Sequence, residues 1–224
     1  MSEPMKPGVL FDVDGTLLDT NYLHVLSWWQ AMRDTGHDDV TMASIHRAIG
    51  IASEGLVRHL TGGEDEKAVE AHSTRYEALR DQVVALPQAG GLVEACARKG
   101  LTVVLATSGK EADLAWMLPA IGAEESVTGA TTSSDVDEAK PEPDLLTTAI
   151  EQHGLDPART VVVGDTVWDV EASRKACLPC VMLTSGGISE AELREAGADE
   201  VYAGPADLLA RFDESLLARA LLPS

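Results

Sequence analysis

The stretch that most restricts the fold is Val9-Leu10-Phe11-Asp12-Val13-Asp14-Gly15-Thr16, an apolar run that meets two carboxylates one position apart and then Gly-Thr. An apolar run stopped by glycine reads as a buried strand ending in a loop. Positions i and i+2 of a strand share a face, so Asp12 and Asp14 are expected to point the same way. Open α/β folds place ligands at the carboxyl edge of a parallel sheet. Two close carboxylates repel, and a shared proton or a cation relieves them. A hard divalent cation takes oxygen ligands of this kind. The same residues equally suit a solvated strand-to-turn junction, because Asp and Gly both favour turns.

After Thr16 the period changes. Leu17 to Arg33 carries Leu18, Tyr22, Val25, Leu26 and Trp29 at helical spacing, and helical stretches follow at Met42–Ile49, Glu54–Leu60 and Glu64–Leu86. No strand is expected between residues 19 and 85. From Pro87 the pattern becomes βαβ. Helices are expected at Gly90–Lys99, Ala112–Leu118, Asp144–His153, from Asp165 to Cys177, and at Ser189–Ala196. Strands are expected at Leu101–Ala106, Val127–Thr131, Thr160–Val163, Cys180–Thr184 and Val201-Tyr202. Alternation of this kind implies a parallel, doubly wound, Rossmann-like α/β sheet. The expected organisation is therefore residues 1–18 as the first core segment, 19–85 as an inserted helical cap, and 86–224 as the core continuation.

Four strand ends then present polar groups: Asp12 with Asp14, Thr107 with Ser108, Lys140 at the opening of its helix, and Asp165 with Asp169. All carboxyl ends of a parallel sheet share one edge, so these groups can converge. Together they form a phosphoryl-transfer site. One carboxylate serves as nucleophile and another as acid/base. A hydroxyl and a lysine can hold phosphoryl oxygens, and an acidic pair can complete a Mg²⁺ site. Taken singly, Thr107 is also an ordinary strand-end hydroxyl, Lys140 a solvated residue before a helix, and Asp165 and Asp169 a helix N-terminal pair. The four in concert favour the site.

Composition narrows the partners. A formal net charge of −20 over 224 residues opposes binding to nucleic acid, which needs clustered Lys and Arg, and opposes docking to an anionic membrane. No stretch approaches the roughly 20 apolar residues of a transmembrane helix, and the polar N-terminus lacks a signal-peptide core, so a cytoplasmic location is expected. A monomer or weak dimer is expected. Cys177-Leu178-Pro179-Cys180 has no second cysteine pair to make a zinc site, and two buried thiols flanking a strand start are expected.

At this point the chain resembles the haloacid dehalogenase (HAD) superfamily, in its phosphatase branch with a helical cap in the first insertion point. The motifs that carry the resemblance are Asp12-Val13-Asp14-Gly15-Thr16, an apolar strand ending in Thr107, Lys140-Pro141-Glu142-Pro143-Asp144, and Gly164-Asp165-Thr166-Val167-Trp168-Asp169. The resemblance implies Asp12 as nucleophile, giving an aspartyl-phosphate, and Asp14 as the acid that protonates the leaving oxygen and then activates water. It implies Mg²⁺ held by the Asp12 carboxylate, the Asp14 backbone carbonyl and Asp165, with Asp169 bound through water or orienting the others. Thr107 and the Ser108 amide are implied on a phosphoryl oxygen, with Lys140 bridging nucleophile and phosphoryl group. Dehalogenases of the superfamily lack an acid at the Asp14 position, which favours phosphate chemistry.

The expected activity is Mg²⁺-dependent hydrolysis of a small phosphorylated metabolite, a sugar phosphate or phosphoglycolate-like ester. A β-phosphoglucomutase-type isomerase is the alternative, because His24 stands where those enzymes carry a histidine near the hinge. Gly50-Ile51-Ala52-Ser53-Glu54 lacks the basic residue those mutases place there. A non-catalytic metabolite-binding protein is a third reading, opposed by the intact catalytic set. Arg47 and Arg58 are candidate contacts for the substrate's anion, with exposed helix charges as the other reading. Trp28-Trp29 is expected to pack the cap helices. His37, His46, His59, His72 and His153 show no metal spacing and are expected at the surface.

Overall fold

The opening apolar run forms strand β1, Lys6–Phe11, in the computed structural model, which describes residues 5–136 and 140–222. Val9, Leu10 and Phe11 are fully buried, as in a strand covered on both faces. Val9 and Phe11 feed one apolar cluster and Leu10 the other, so alternate side chains serve opposite sides of the sheet.

Five more strands complete the sheet: β2 (Thr102–Ala106), β3 (Gly129–Thr131), β4 (Leu155–Gly164), β5 (Cys180–Leu183) and β6 (Glu200–Tyr202). Their order is β3-β2-β1-β4-β5-β6 and every pair is parallel. The chain winds outward from β1 through β2 to β3, then returns to β4 on the other side of β1. That reversal makes the crevice beyond β1 and β4 the place where an open α/β sheet takes a ligand. Phe11 is level with Leu105 of β2 and Val163 of β4, so the residues just beyond all three strands meet at one edge.

Helices α1 (Asn21–Asp34), α2 (Met42–Ala48), α3 (Ser53–Thr61) and α4 (Glu66–Glu77) follow β1. They bury a cluster of their own, which includes Trp28, Met32, Ile45, Leu56 and Ala68. The Thr41 hydroxyl accepts from the Ser44 amide to cap α2, and Asp65 caps α4 by accepting from the Lys67 and Ala68 amides. Two expectations are corrected here. The first helix starts at Asn21 rather than Leu17, and α4 stops at Glu77 rather than Leu86. The reason is pairing between the outgoing and returning chain: Leu18 bridges Ala85, and the Leu86 amide donates to the Leu17 carbonyl (2.9 Å). Backbone groups satisfied in that way are not free to extend a helix.

The sheet is covered by α5 (Ala89–Lys99), α6 (Leu114–Ile121), α7 (Asp144–His153), α8 (Val167–Lys175) and α9 (Glu190–Ala196). Two short helices that sequence patterning misses, α10 (Pro205–Ala210) and α11 (Leu216–Ala220), close the described chain. Cys180 is buried at the start of β5, but Cys177 is exposed beyond α8, so only one thiol of that pair is buried. Among the described residues no helix is long and apolar enough to cross a membrane. Residues 1–4 of the expected first core segment, and residues 137–139 and 223–224 of its continuation, lie outside the described residues.

Candidate active site

Asp12 follows β1 directly, and its amide still donates to the Val163 carbonyl of β4 (2.9 Å), which fixes its backbone in the sheet. Its Oδ1 accepts from Lys140 Nζ at 2.6 Å. The same ammonium lies 2.8 Å from Asp169 Oδ1, and its side chain is only 1% exposed. Asp165, at the end of β4, is fully buried and accepts from Thr16 Oγ1 (3.0 Å) and Asn21 Nδ2 (2.8 Å). Asp169 stands in the first turn of α8, where its Oδ2 accepts from the Thr166 amide (3.1 Å) and hydroxyl (2.6 Å). That exchange is a capping box, which orients the carboxylate while it starts the helix.

One oxygen each from Asp12, Asp165 and Asp169 lies within 4.8 Å of the others, with Lys140 the one ammonium among the described residues paired with them. Three carboxylates against one cation leave two negative charges in a buried site. Burial pushes the Asp12 carboxyl up to about 7, with repulsion from Asp169 and Asp14 adding to it and Lys140 pulling the other way. Asp165 is pushed well above the ordinary carboxylate range by burial, then by Asp12 and Asp169. Burial alone would discharge Lys140, but Asp12 and Asp169 hold its proton more tightly than usual. Asp169 Oδ1 is fully buried and has the Lys140 ammonium at 2.8 Å as its partner. An excess of carboxylate over ammonium charge and three hard oxygen donors within 4.8 Å of one another together fit a divalent cation.

Backbone leaves that cluster room. A Cβ on Gly186 would fall 1.6 Å from Asp165 Oδ2, and one on Gly15 (φ +76°) 2.4 Å from the same oxygen. Gly186→Ala is therefore expected to displace Asp165 and weaken divalent-cation binding at this cluster by about 10–100-fold, the range for lost support of a metal ligand. A titration of binding with a divalent cation, with a thermal melt to verify folding, checks it.

Asp14 faces the helical insertion. Its Oδ1 accepts from Thr20 Oγ1 (2.6 Å) and lies 3.2 Å from His24 Nε2. Burial acts to raise this carboxyl, but His24 by charge and hydrogen bond, together with Thr20, brings it below its ordinary value. Behind it, His24 Nδ1 is 3.2 Å from His72 Nε2. His24 stacks on Tyr76 (3.8 Å between ring centres) and His72 on Trp28 (3.9 Å). His72 is thus buried rather than at the surface, and burial, with the charges of His24 and Lys110, drives it well below the usual histidine range. His72 and Tyr76, four apart, share one face of α4, and both stack on His24. Thr16, Thr20 and Asn21 are the supporting residues that sequence reasoning left unassigned.

The remaining expected site residues divide. Thr107 is fully buried beyond β2, where its hydroxyl oxygen accepts from the Gly109 amide (3.0 Å). Asp12, Asp14, His24, Ser108 and Lys140 line one cavity of about 980 Å³ between the sheet edge and the insertion. The Ser108 hydroxyl donates to the Gly50 carbonyl of the insertion at 2.9 Å. Arg47 is corrected: its guanidinium is half exposed and paired with Glu192 of α9 at 2.6 Å, on a separate groove. Arg58 and His59 do line the main cavity. His46 also leaves the surface role expected of it, because its Nε2 donates to the Gly186 carbonyl (2.8 Å) and ties α2 to the acidic cluster.

Residues 9–183 match the model of a family described as haloacid dehalogenase-like hydrolase. The chain is 32% identical over 192 residues to the probable phosphatase IndB of Dickeya dadantii, with 81% of this chain and 83% of that protein covered. It is 25% identical over 194 residues to a phosphoglycolate phosphatase of Agrobacterium fabrum, covering 83% of each. The crystal structure of a hydrolase from Pseudomonas syringae superposes with a TM-score of 0.86 at 36% identity, covering 93% of this chain and 99% of that one.

Proposed function

The chain belongs to the haloacid dehalogenase-like hydrolase family, and from that premise we propose that it is a Mg²⁺-dependent phosphatase of a small phosphorylated metabolite. The single observation that carries the reading is Lys140 bonded to Asp12 and paired with the buried Asp169, at a cavity that Asp12, Asp14 and Lys140 line together. A phosphatase of this chemistry agrees with the names of the Dickeya dadantii and Agrobacterium fabrum relatives.

In the proposed reaction an Asp12 oxygen attacks phosphorus, the ester oxygen departs, and Asp14 donates the proton that the leaving alcohol needs. Water then attacks the aspartyl-phosphate, Asp14 takes its proton, and inorganic phosphate leaves with Asp12 restored. At rest Asp14 is ionised, which suits the second half. An arriving phosphoryl group brings negative charge beside it and favours the protonated form that the first half requires. Lys140 holds Asp12 in place and supplies positive charge next to the phosphoryl oxygens. The side chains of Asp12, Asp165 and Asp169, with the Asp14 carbonyl, would hold Mg²⁺, which supplies charge neutralisation for the transferred group. Residues 19–85 serve as the lid, closing on the core through Ser108, His46 and the Trp168 indole, which donates to the Arg47 carbonyl (2.8 Å).

Hydrolysis of an aryl phosphate with Mg²⁺, followed by a screen of metabolite esters, tests the reading, and absence of turnover for every ester sinks it. Asp14→Asn is expected to lower kcat by about 10²–10⁴, the usual size of a lost acid–base group. Phosphate release rather than transfer of the phosphoryl group within a sugar separates the phosphatase from the isomerase that His24 also suits.

A further inference from the structure

The cavity is large for a two-carbon ester: about 980 Å³ stands at the upper end of the roughly 300–1,000 Å³ typical of small-molecule sites. Its charges are also informative. Beyond Asp12, Asp14 and Lys140, the cations on its wall are Arg58, Arg80 and Lys110, faced by Glu54, Glu77, Asp113 and Glu142.

The half-buried one, Arg80, already has carboxylate partners. Its Nη2 donates to Asp113 Oδ1 at 2.8 Å, its Nη1 lies 3.6 Å from the more exposed Glu77 Oε1, and its buried Nε has no hydrogen-bond partner among the described residues. Its guanidinium sits 5.5 Å over the Trp116 ring, whose Nε1 donates to the same Asp113 oxygen at 3.1 Å. Arg58 is 61% exposed with Glu64 at 3.6 Å, and Lys110 is exposed, so both are solvated charges that hold a carboxylate weakly. A substrate with a carboxylate distant from its phosphate would meet Asp113 and Glu77 beside every half-buried cation that could receive it. The −20 net charge adds an unfavourable field. An alcohol with hydroxyls brings no charge, and each hydroxyl both donates and accepts.

We propose that Asp113 and Glu77, by occupying Arg80, restrict the substrate to phosphate monoesters of uncharged polyhydroxylic alcohols of about hexose size and exclude esters that carry a carboxylate. The inference rests on the phosphatase reading above and names its substrate class. Asp113 and Glu77 are specificity residues here and take no part in the proposed steps at phosphorus.

The test compares glucitol 6-phosphate with 6-phosphogluconate, which share chain length and phosphate position and differ at C1 as hydroxymethyl against carboxylate. Wild-type kcat/KM is expected to favour the polyol ester by about 30-fold or more, chiefly through KM. Asp113→Asn keeps an oxygen for Trp116 and Arg80 to donate to but removes the charge, and is expected to narrow that ratio about tenfold. Glu77→Gln is expected to narrow it less. A general structural defect would depress both substrates together and leave the ratio unmoved. Equal wild-type values for the pair, or a ratio that neither variant moves, overturns the proposal while aryl phosphate turnover still supports the phosphatase. Loss of all ester hydrolysis, aryl phosphate included, overturns both.

Discussion

Asp12→Asn is expected to abolish turnover and at the same time to make the metal-free protein more stable at pH 8. An amide cannot attack phosphorus, and removal of a nucleophile from a preorganised site lowers kcat by about three or more orders of magnitude. The stability effect comes from the charge count. Asp12 shares its buried site with Asp165 and Asp169 against a single Lys140, and burial has raised its carboxyl to about 7. At pH 8 it is ionised against that preference, so the folded state carries the strain. Asparagine keeps the shape, removes one charge, and leaves Lys140 its contact with Asp169 (2.8 Å). The gain is about 1–3 kcal/mol, or several degrees in Tm for a chain of this size. A melt in chelator beside an assay with Mg²⁺ reads both. Full activity in the variant removes Asp12 from the mechanism, and a large fall in Tm removes the charge argument.

The second large effect is the pH dependence of metal removal. Asp12 and Asp165 have folded-state values above their ordinary ones, so over that interval the folded protein holds protons that the unfolded chain releases. Stability then falls as pH rises from about 4 toward 7 and is lowest above it. Mg²⁺ reverses this by replacing the protons. In chelator, Tm is expected to drop from pH 5 to pH 8. Mg²⁺ at a hundredfold excess over Kd supplies about 2.7 kcal/mol, so at pH 8 it is expected to raise Tm by about 5–10 °C. At pH 5, where protons compete, the rise is expected to be much smaller. Equal Mg²⁺ shifts at both pH values would show that the cluster is not the cation site.

How far these features were legible in the sequence depends on whether their cause is local. Asp12 and Asp165 end apolar runs, and a run that stops at a carboxylate marks a strand end without help from the rest of the chain. Asp169 follows Asp165 by one helical turn, so its convergence was also local. Arg47 takes the exposed-charge reading of the two open to it, and the sequence could not name the partner that claims it, because Glu192 on α9 lies far away. Neighbouring residues of α2 point about 100° apart, and nothing nearby says that His46 rather than Arg47 faces the sheet edge. His72 is buried by Trp28 of α1, a contact between helices that periodicity alone does not pair. The end of α4 was set by the Leu18–Ala85 bridge, and α10 and α11 are too short for a period to register.

The position of β1 has one more consequence, for synthesis. Of the described strands, the one that carries Asp12 is made first, yet its partners β2 and β4 begin only at Thr102 and Leu155. Its neighbours in the sheet therefore appear late, and contacts of such long sequence separation form slowly. The helical insertion, by contrast, can bury its own cluster from contacts within residues 21–77 as it emerges. Assembly of the nascent chain thus runs from the helical insertion inward: the segment that bears Asp12 leaves the ribosome before the other described strands and waits unpaired until the sheet grows around it.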